Sequence, residues 1–237
     1  DYSYFYDKLD GYGAYFVDSN GDPVNPNQYI QGKDRYRRLF GEFRVSSPAD
    51  SRLRLIAGVF GQRQSHHILQ NYVIDGIADS IKVPGTKSDI WLTAQDRVDR
   101  DLAAFGELTF DLTDKLSVTA GGRVYYYKNS LDGFFGYNNP GYSSNPVYAC
   151  QGPATVQDAP CDNLNKVTSD SGFIHKLNAT YKITKDVMVY ATWSRGFRPG
   201  GINRRGSLPP YGPDTLDNYE FGWKSQFGPL RFNGPIY

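Results

Sequence analysis

Four kinds of residue in this chain offer chemistry: an adjacent histidine pair, two cysteines, scattered carboxylates, and tyrosines and arginines gathered in polar stretches. His66 and His67 fall in a long polar loop. Neighbours in extended backbone point opposite ways, so they do not readily ligate one metal and read as ordinary exposed histidines. His175 lies on an apolar strand face and reads as structural. Cys150 and Cys161 share a loop rich in Asn, Pro, Gly and Ser. Without CxxC spacing or further ligands they do not suggest zinc, and a loop disulfide formed in an oxidising compartment is the expectation. The carboxylates form no pair placed for acid–base work, and no GxGxxG or P-loop pattern precedes a helix. The chain is therefore expected to be no enzyme, with no metal site and no cofactor. What remains is a set of loop residues suited to binding: Tyr137, Tyr142, Tyr148, Arg198, Arg204, Arg205 and Tyr211. Planar aromatic faces and permanent cations hold a sugar ring or an anionic metal chelate by stacking, cation–π contact and charge-assisted hydrogen bonds.

Such loops need a wall to stand on, and the alternation of apolar and polar residues supplies one. In 102–112, Leu102, Ala104, Gly106, Leu108, Phe110 and Leu112 oppose Ala103, Phe105, Glu107, Thr109 and Asp111. The same two-residue period recurs in 53–63, 116–126, 173–183, 187–197 and 217–227. Tight links near 46–51, 113–115, 184–186 and 228–229 alternate with long ones over 7–33, 64–99, 132–170 and 198–216. Short turns on one side and long loops on the other are the mark of a membrane-spanning antiparallel barrel. Runs of about ten residues, at ~3.3 Å each and tilted by ~45°, cross a ~25 Å apolar band.

The polar faces carry Arg54, Glu107, Asp111, Arg123, Lys176, Lys182, Glu220 and Lys224 in mid-strand. Buried in a narrow packed barrel each would cost several kcal/mol, whereas a wide wet lumen tolerates them. On the apolar faces Tyr126, Phe173, Trp193 and Tyr219 fall at the loop side, and Phe110, Tyr181 and Phe227 at the turn side. Two such aromatic girdles are expected of a lipid-facing wall. Lys128 and Arg195 come just above the upper girdle, where cations meet lipid head groups. With 237 residues and a net charge of +1, nothing points to a nucleic-acid partner.

The reading yields eight or nine strands, the last being 230–237, which is too short to span and contains Pro235. An open sheet cannot stand in lipid, and the chain begins at Asp1 with its sole methionine at Met188. A fragment of a larger barrel is the expectation. The strand glycines Gly121 and Gly122 read as places for bending or close approach of another backbone, and Gly200-Gly201 as loop punctuation.

Three stretches, Ala104–Arg123, Val189–Asn203 (VYATWSRGFRPGGIN) and Pro213–Ser225 (PDTLDNYEFGWKS), occur in order at suitable separations. They resemble the barrel of the TonB-dependent outer-membrane receptors of Gram-negative bacteria, over roughly residue 35 to the end. The resemblance implies a fold class of all-β, antiparallel transmembrane barrel, with residues 1–237 forming part of a wall of about twenty-two strands. It also implies a plug domain, absent from this chain, through which the inner-membrane TonB complex would act. The implied function is energised uptake of a scarce small-molecule nutrient such as a ferric siderophore, cobalamin, haem or a glycan. Outer-membrane lipid and lipopolysaccharide would be its surroundings. Two other readings stay open at this point: a passive outer-membrane pore or adhesive barrel, and a soluble carbohydrate-binding β-protein.

Overall fold

The computed structural model describes residues 2–8 in backbone outline and 16–137, 150–204 and 208–237 in full; Tyr142, Tyr148 and Arg205 lie outside the described residues. Among the described residues, nine strands form one antiparallel sheet in chain order: β1 (Tyr2–Lys8), β2 (Gln28–Ser46), β3 (Leu53–Val73), β4 (Asp89–Asp111), β5 (Leu116–Gly136), β6 (Leu164–Lys182), β7 (Val187–Arg198), β8 (Asp214–Phe227) and β9 (Leu230–Ile236). No helix occurs among the described residues. Each strand pairs with the next, and β1 and β9 are the edges of the open sheet. The four tight turns fall where the alternation ended. Pro235 sits on edge strand β9, where a lost ladder hydrogen bond costs least.

The central strands are twice as long as expected. β2 to β6 run 19, 21, 23, 21 and 19 residues rather than about ten. Their lower halves keep the alternation and their upper halves lose it. Below about residues 39, 61, 102, 126 and 173 the apolar parity is open: Leu108 and Leu177 are each 44% exposed, and Val59, Val124, Phe173 and Phe221 are also exposed. A row of large apolar side chains running across seven strands far exceeds the patch a soluble monomer leaves uncovered, which makes this face the one that meets hydrocarbon. Higher still, around Leu92, Ala94 and Phe134, the same parity is sealed by protein. Val83 from the 74–88 loop and Cys161 from the 150–163 loop pack on Leu92, Ala94 and Phe134. Both faces are covered there, so polar/apolar alternation has no cause and the strands were hidden from the sequence reading.

The expected girdle residues step down the sheet. Tyr126 lies opposite Ser171, Phe173 opposite Val124, Trp193 opposite Leu177, and Tyr219 opposite Trp193. At the turn side Phe110 faces Val118, Tyr181 faces Leu116 and Val189, and Phe227 faces Leu230. Both lines descend together towards β8, the geometry of strands tilted against the membrane normal.

The opposite parity carries a ladder of polar contacts. Arg54 donates two hydrogen bonds to the Asp111 carboxylate (2.5 and 2.7 Å), which also accepts one from the Ser117 hydroxyl (2.5 Å). Lys176 Nζ reaches Glu107 Oε2 at 2.8 Å, Tyr190 donates to Glu220 Oε1 at 2.5 Å, and the Arg123 guanidinium lies 5.4 Å from the Phe60 ring centre. These groups are half exposed, as a water-filled interior allows. Because Lys176 and Glu107 remain 47% and 32% exposed, Glu107→Gln is expected to lower stability by less than about 1 kcal/mol in urea unfolding from bilayers. A loss of several kcal/mol would mean a dry interior.

Of the two strand glycines, Gly121 lies against backbone, a Cβ there coming 3.3 Å from the Gly106 carbonyl, and Gly122 lies against a ring. A Cβ on Gly122 would come within 2.6 Å of the Phe173 ring on the next strand, so glycine is what lets that aromatic lie flat across the wall.

Candidate functional site

Above the apolar band, the polar parity of β3 to β6 forms a platform that residues 199–204 and 208–213 fold across. β7 pairs with β6 only up to Ser194 opposite Lys176 and then diverges. Phe197 stacks on Tyr125 at 3.6 Å with a 9° interplanar angle, turning the chain back over the sheet. Asn129 donates its amide to the Gly200 carbonyl at 2.8 Å, and Gly201 and Tyr211 exchange two backbone hydrogen bonds of 3.0 Å. Gly200 is more than loop punctuation: a Cβ there would lie 2.4 Å from the Tyr211 carbonyl and 2.6 Å from the Tyr127 hydroxyl. Ile202 then packs on Leu131 and Leu164, while Lys166 Nζ reaches the carbonyls of Asn203 and Leu208, both at 3.2 Å. Burial beneath the loop pushes the Lys166 amine below its ordinary value.

His66 and His67 belong to β3, not to a loop, and each is held by a carboxylate. His66 Nε2 lies 3.0 Å from Asp34 and its ring stacks on Tyr36 at 3.8 Å; His67 Nδ1 lies 2.8 Å from Asp96 on the opposite face. The correction has a physical cause, since residues 64–73 lie where loops seal the upper sheet and no alternation marks the strand. The two rings do point apart, and no cluster of His, Cys, Asp and Glu suited to a metal occurs among the described residues. Arg97 stands opposite His66 and bonds Asp99 at 2.9 and 3.0 Å. His66, Arg97, Ile202 and Arg204 line a cavity of about 50 Å3. That is room for a water, not for a nutrient, so any ligand must rest on the open surface above.

Burial drives the His66 pKa below its ordinary 6.5, outweighing the opposing pull of the Asp34 hydrogen bond; Arg97 and Arg204 act in the same direction as burial. His66 lies above the membrane-spanning part of β3. A lowered folded value means that the unfolded chain takes up the proton more readily. The neutral imidazole therefore contributes stability that is complete above about pH 6.5 and lost as pH falls through the folded value. NMR titration of His66 in the detergent-solubilised whole protein is expected to give a midpoint below 6.5. A raised midpoint would mean that Asp34 dominates.

The remaining expected ligand residues are dispersed. Tyr137, exposed, meets Trp91 edge-to-face at 4.4 Å, and Trp91 meets Phe135 likewise at 4.7 Å. Trp91 and Phe135 are on the polar parity and complete an aromatic rim that sequence reading missed, because they fall among residues read as loop. Arg198 is 78% exposed and forms an ion pair with Asp214. Arg204 and Tyr211 lie on the folded-back loop. The structure thus brings Arg204 beside His66 and Arg97, and leaves Tyr137 at the rim and Arg198 at the end of β7, paired with Asp214. Cys150 and Cys161 are bonded to one another, with 5.7 Å between their Cα atoms. They clamp the loop that covers Leu92 and Phe134.

The family described as TonB dependent receptor-like, beta-barrel, matches residues 1–234. Among solved structures, the ferric yersiniabactin uptake receptor FyuA from Yersinia pestis is similar to this chain at 18% identity and a TM-score of 0.66, over 87% of this chain and 28% of that one. The copper transporter OprC is similar at 16% identity and a TM-score of 0.52, over 86% of this chain and 30% of that one. The chain spans less than a third of the length of these structures. At such identities the likeness speaks for the fold.

Proposed function

This chain belongs to the TonB-dependent receptors, within their β-barrel domain, and from that premise we propose that the whole receptor imports a scarce nutrient, an anionic ferric siderophore being the best fit, with energy delivered through TonB. Family members are outer-membrane proteins of Gram-negative bacteria, and the open apolar band suits that setting. The single observation that carries the ligand class is the platform above the band. Trp91 and Tyr137 present ring faces and edges, and Arg204 on the loop adds an exposed cation beside Arg97, which Asp99 holds on the polar parity. A planar, negatively charged chelate satisfies both, whereas a neutral sugar uses only the rings. FyuA, whose wall this sheet resembles, is a ferric yersiniabactin uptake receptor.

Uptake of radiolabelled iron as a panel of ferric siderophores, in cells whose only receptor is the full-length protein, tests the proposal. Uptake of at least one chelate that stops when TonB is deleted is the expected result. Uptake that continues without TonB would identify a passive pore instead, and retention of the protein in a detergent-free soluble fraction would rule out both. In the purified receptor, Arg97→Gln with Arg204→Gln is expected to weaken chelate binding at least tenfold, about 1.4 kcal/mol. Fluorescence quenching measures it, and an unchanged Kd would move the ligand elsewhere.

A further inference from the structure

We propose that the outward face of β2 to β5 holds a phosphate-bearing lipid of the outer leaflet, its phosphates on Arg63, Arg100 and Lys128 and its acyl chains in the groove directly below. Register places the three cations side by side: Arg63 is opposite Arg100, and Arg100 is opposite Lys128. Directly opposed residues on one face stand about 5 Å apart, and like charges so placed repel. Arg37 lies one step higher, opposite Ser65, and follows the rise of the apolar boundary towards β2. All four are exposed, and none makes a hydrogen bond or ion pair among the described residues.

No carboxylate relieves this row. Asp99 and Asp101 flank Arg100 in sequence but project from the other face of the strand. Asp96, on the same face, is four residues away, roughly 13 Å along the strand, and is engaged by His67. The contrast lies farther along the same face, on β7 and β8, where the boundary cation Arg195 is matched by Asp217 across the strands at 2.7 and 2.8 Å. One stretch of the boundary is thus neutralised internally and the other is left to an external anion. Guanidinium groups suit phosphate oxygens, which they bind in pairs of parallel hydrogen bonds.

The groove supplies the second half of the site. Immediately below the row, Phe43, Val59, Leu102, Val124 and Tyr126 border an open apolar trough of about 760 Å3 floored by Gly41 and Gly61. Cations above an apolar trough match a phosphorylated head group joined to acyl chains, and a free phosphate would use only the upper part. The inference rests on the apolar face being the lipid-facing one, not on the identity of the imported nutrient.

Native mass spectrometry of the full-length receptor in detergent tests it, with diphosphoryl lipid A, its dephosphorylated form and inorganic phosphate as probes. The wild-type receptor is expected to retain diphosphoryl lipid A at least tenfold more tightly than the variant combining Arg63→Gln, Arg100→Gln and Lys128→Gln. Arg195→Gln, which removes an internally paired cation, is expected to leave retention unchanged. Equal retention by the triple variant would overturn the proposal. So would equal binding of the dephosphorylated lipid, or displacement of the lipid by inorganic phosphate at the same concentration. Heat-modifiable migration reports folding, and Arg100→Gln alone, at the centre of the row, serves if the triple variant does not assemble. Nutrient uptake by the triple variant is read separately, so loss of lipid retention with intact import, or the reverse, distinguishes this site from the transport reading.

Discussion

Leu108→Arg is expected to destabilise the membrane-inserted barrel by about 2–4 kcal/mol, the cost of a cation near the middle of a lipid-facing wall. Leu108 lies opposite Leu55 on one side and Ala120 on the other, well below the boundary at Leu102, and its side chain is 44% exposed to what would be hydrocarbon. An arginine there has no short route to the head groups and no carboxylate on its face of the strand between Leu102 and Phe110. Thr109→Arg, one residue along, is the comparison. Thr109 points to the polar side, where its hydroxyl meets that of Thr119 at 2.9 Å, and its replacement forfeits about 1 kcal/mol. Urea titration of the full-length protein folded into lipid vesicles measures both, with heat-modifiable migration as an independent count of assembled molecules. Equal costs for the two variants would mean that the two faces meet the same solvent, and the membrane reading would fail.

Replacing Cys150 and Cys161 together by serine is expected to release the 150–163 loop from the upper sheet. The bond closes a loop with a sequence separation of 11, for which the chain-entropy account gives about 3 kcal/mol. That free energy acts locally: Cys161 is one wall of the cluster of Val83, Leu92, Ala94 and Phe134, and Asn163 exchanges hydrogen bonds with the Phe135 backbone at 2.9 and 3.2 Å. Hydrogen exchange in the 150–163 loop and at Leu92 and Phe134 is expected to rise by about two orders of magnitude, while amides of the 102–111 and 116–126 segments keep their protection. Unchanged exchange in the loop would mean that packing, not the cross-link, holds it. Loss of protection throughout the barrel would mean that the upper cluster and the wall unfold as one unit.

The lower wall was legible because lipid on one face and water on the other impose a two-residue period on every strand. Leu108 against Glu107, Val118 against Ser117 and Leu177 against Lys176 are three instances of one physical rule. The tight turns were equally legible, since the period stops where the chain leaves the bilayer. The upper halves of β3 to β5 were not. His66, Trp91 and Phe135 sit where loops cover both faces, so nothing forces adjacent residues to differ, and all three were assigned to loops.

The candidate site shows the same division more sharply. Composition marked Tyr137, Arg204 and Tyr211 as residues able to bind, but their separation in the chain carries no information about distance. Only the fold of residues 199–204 and 208–213, turned back by Phe197 on Tyr125 and seated by Asn129 on Gly200, places Arg204 beside Arg97 and His66. The cation row at the boundary is a case of register: Arg63, Arg100 and Lys128 are 37 and 28 positions apart in the chain, and hydrogen bonding between strands alone makes them neighbours. Periodicity is a local consequence of solvent on each side of a strand and is written into consecutive residues. Which distant residues share a surface depends on strand alignment and loop docking, which no short stretch of chain contains.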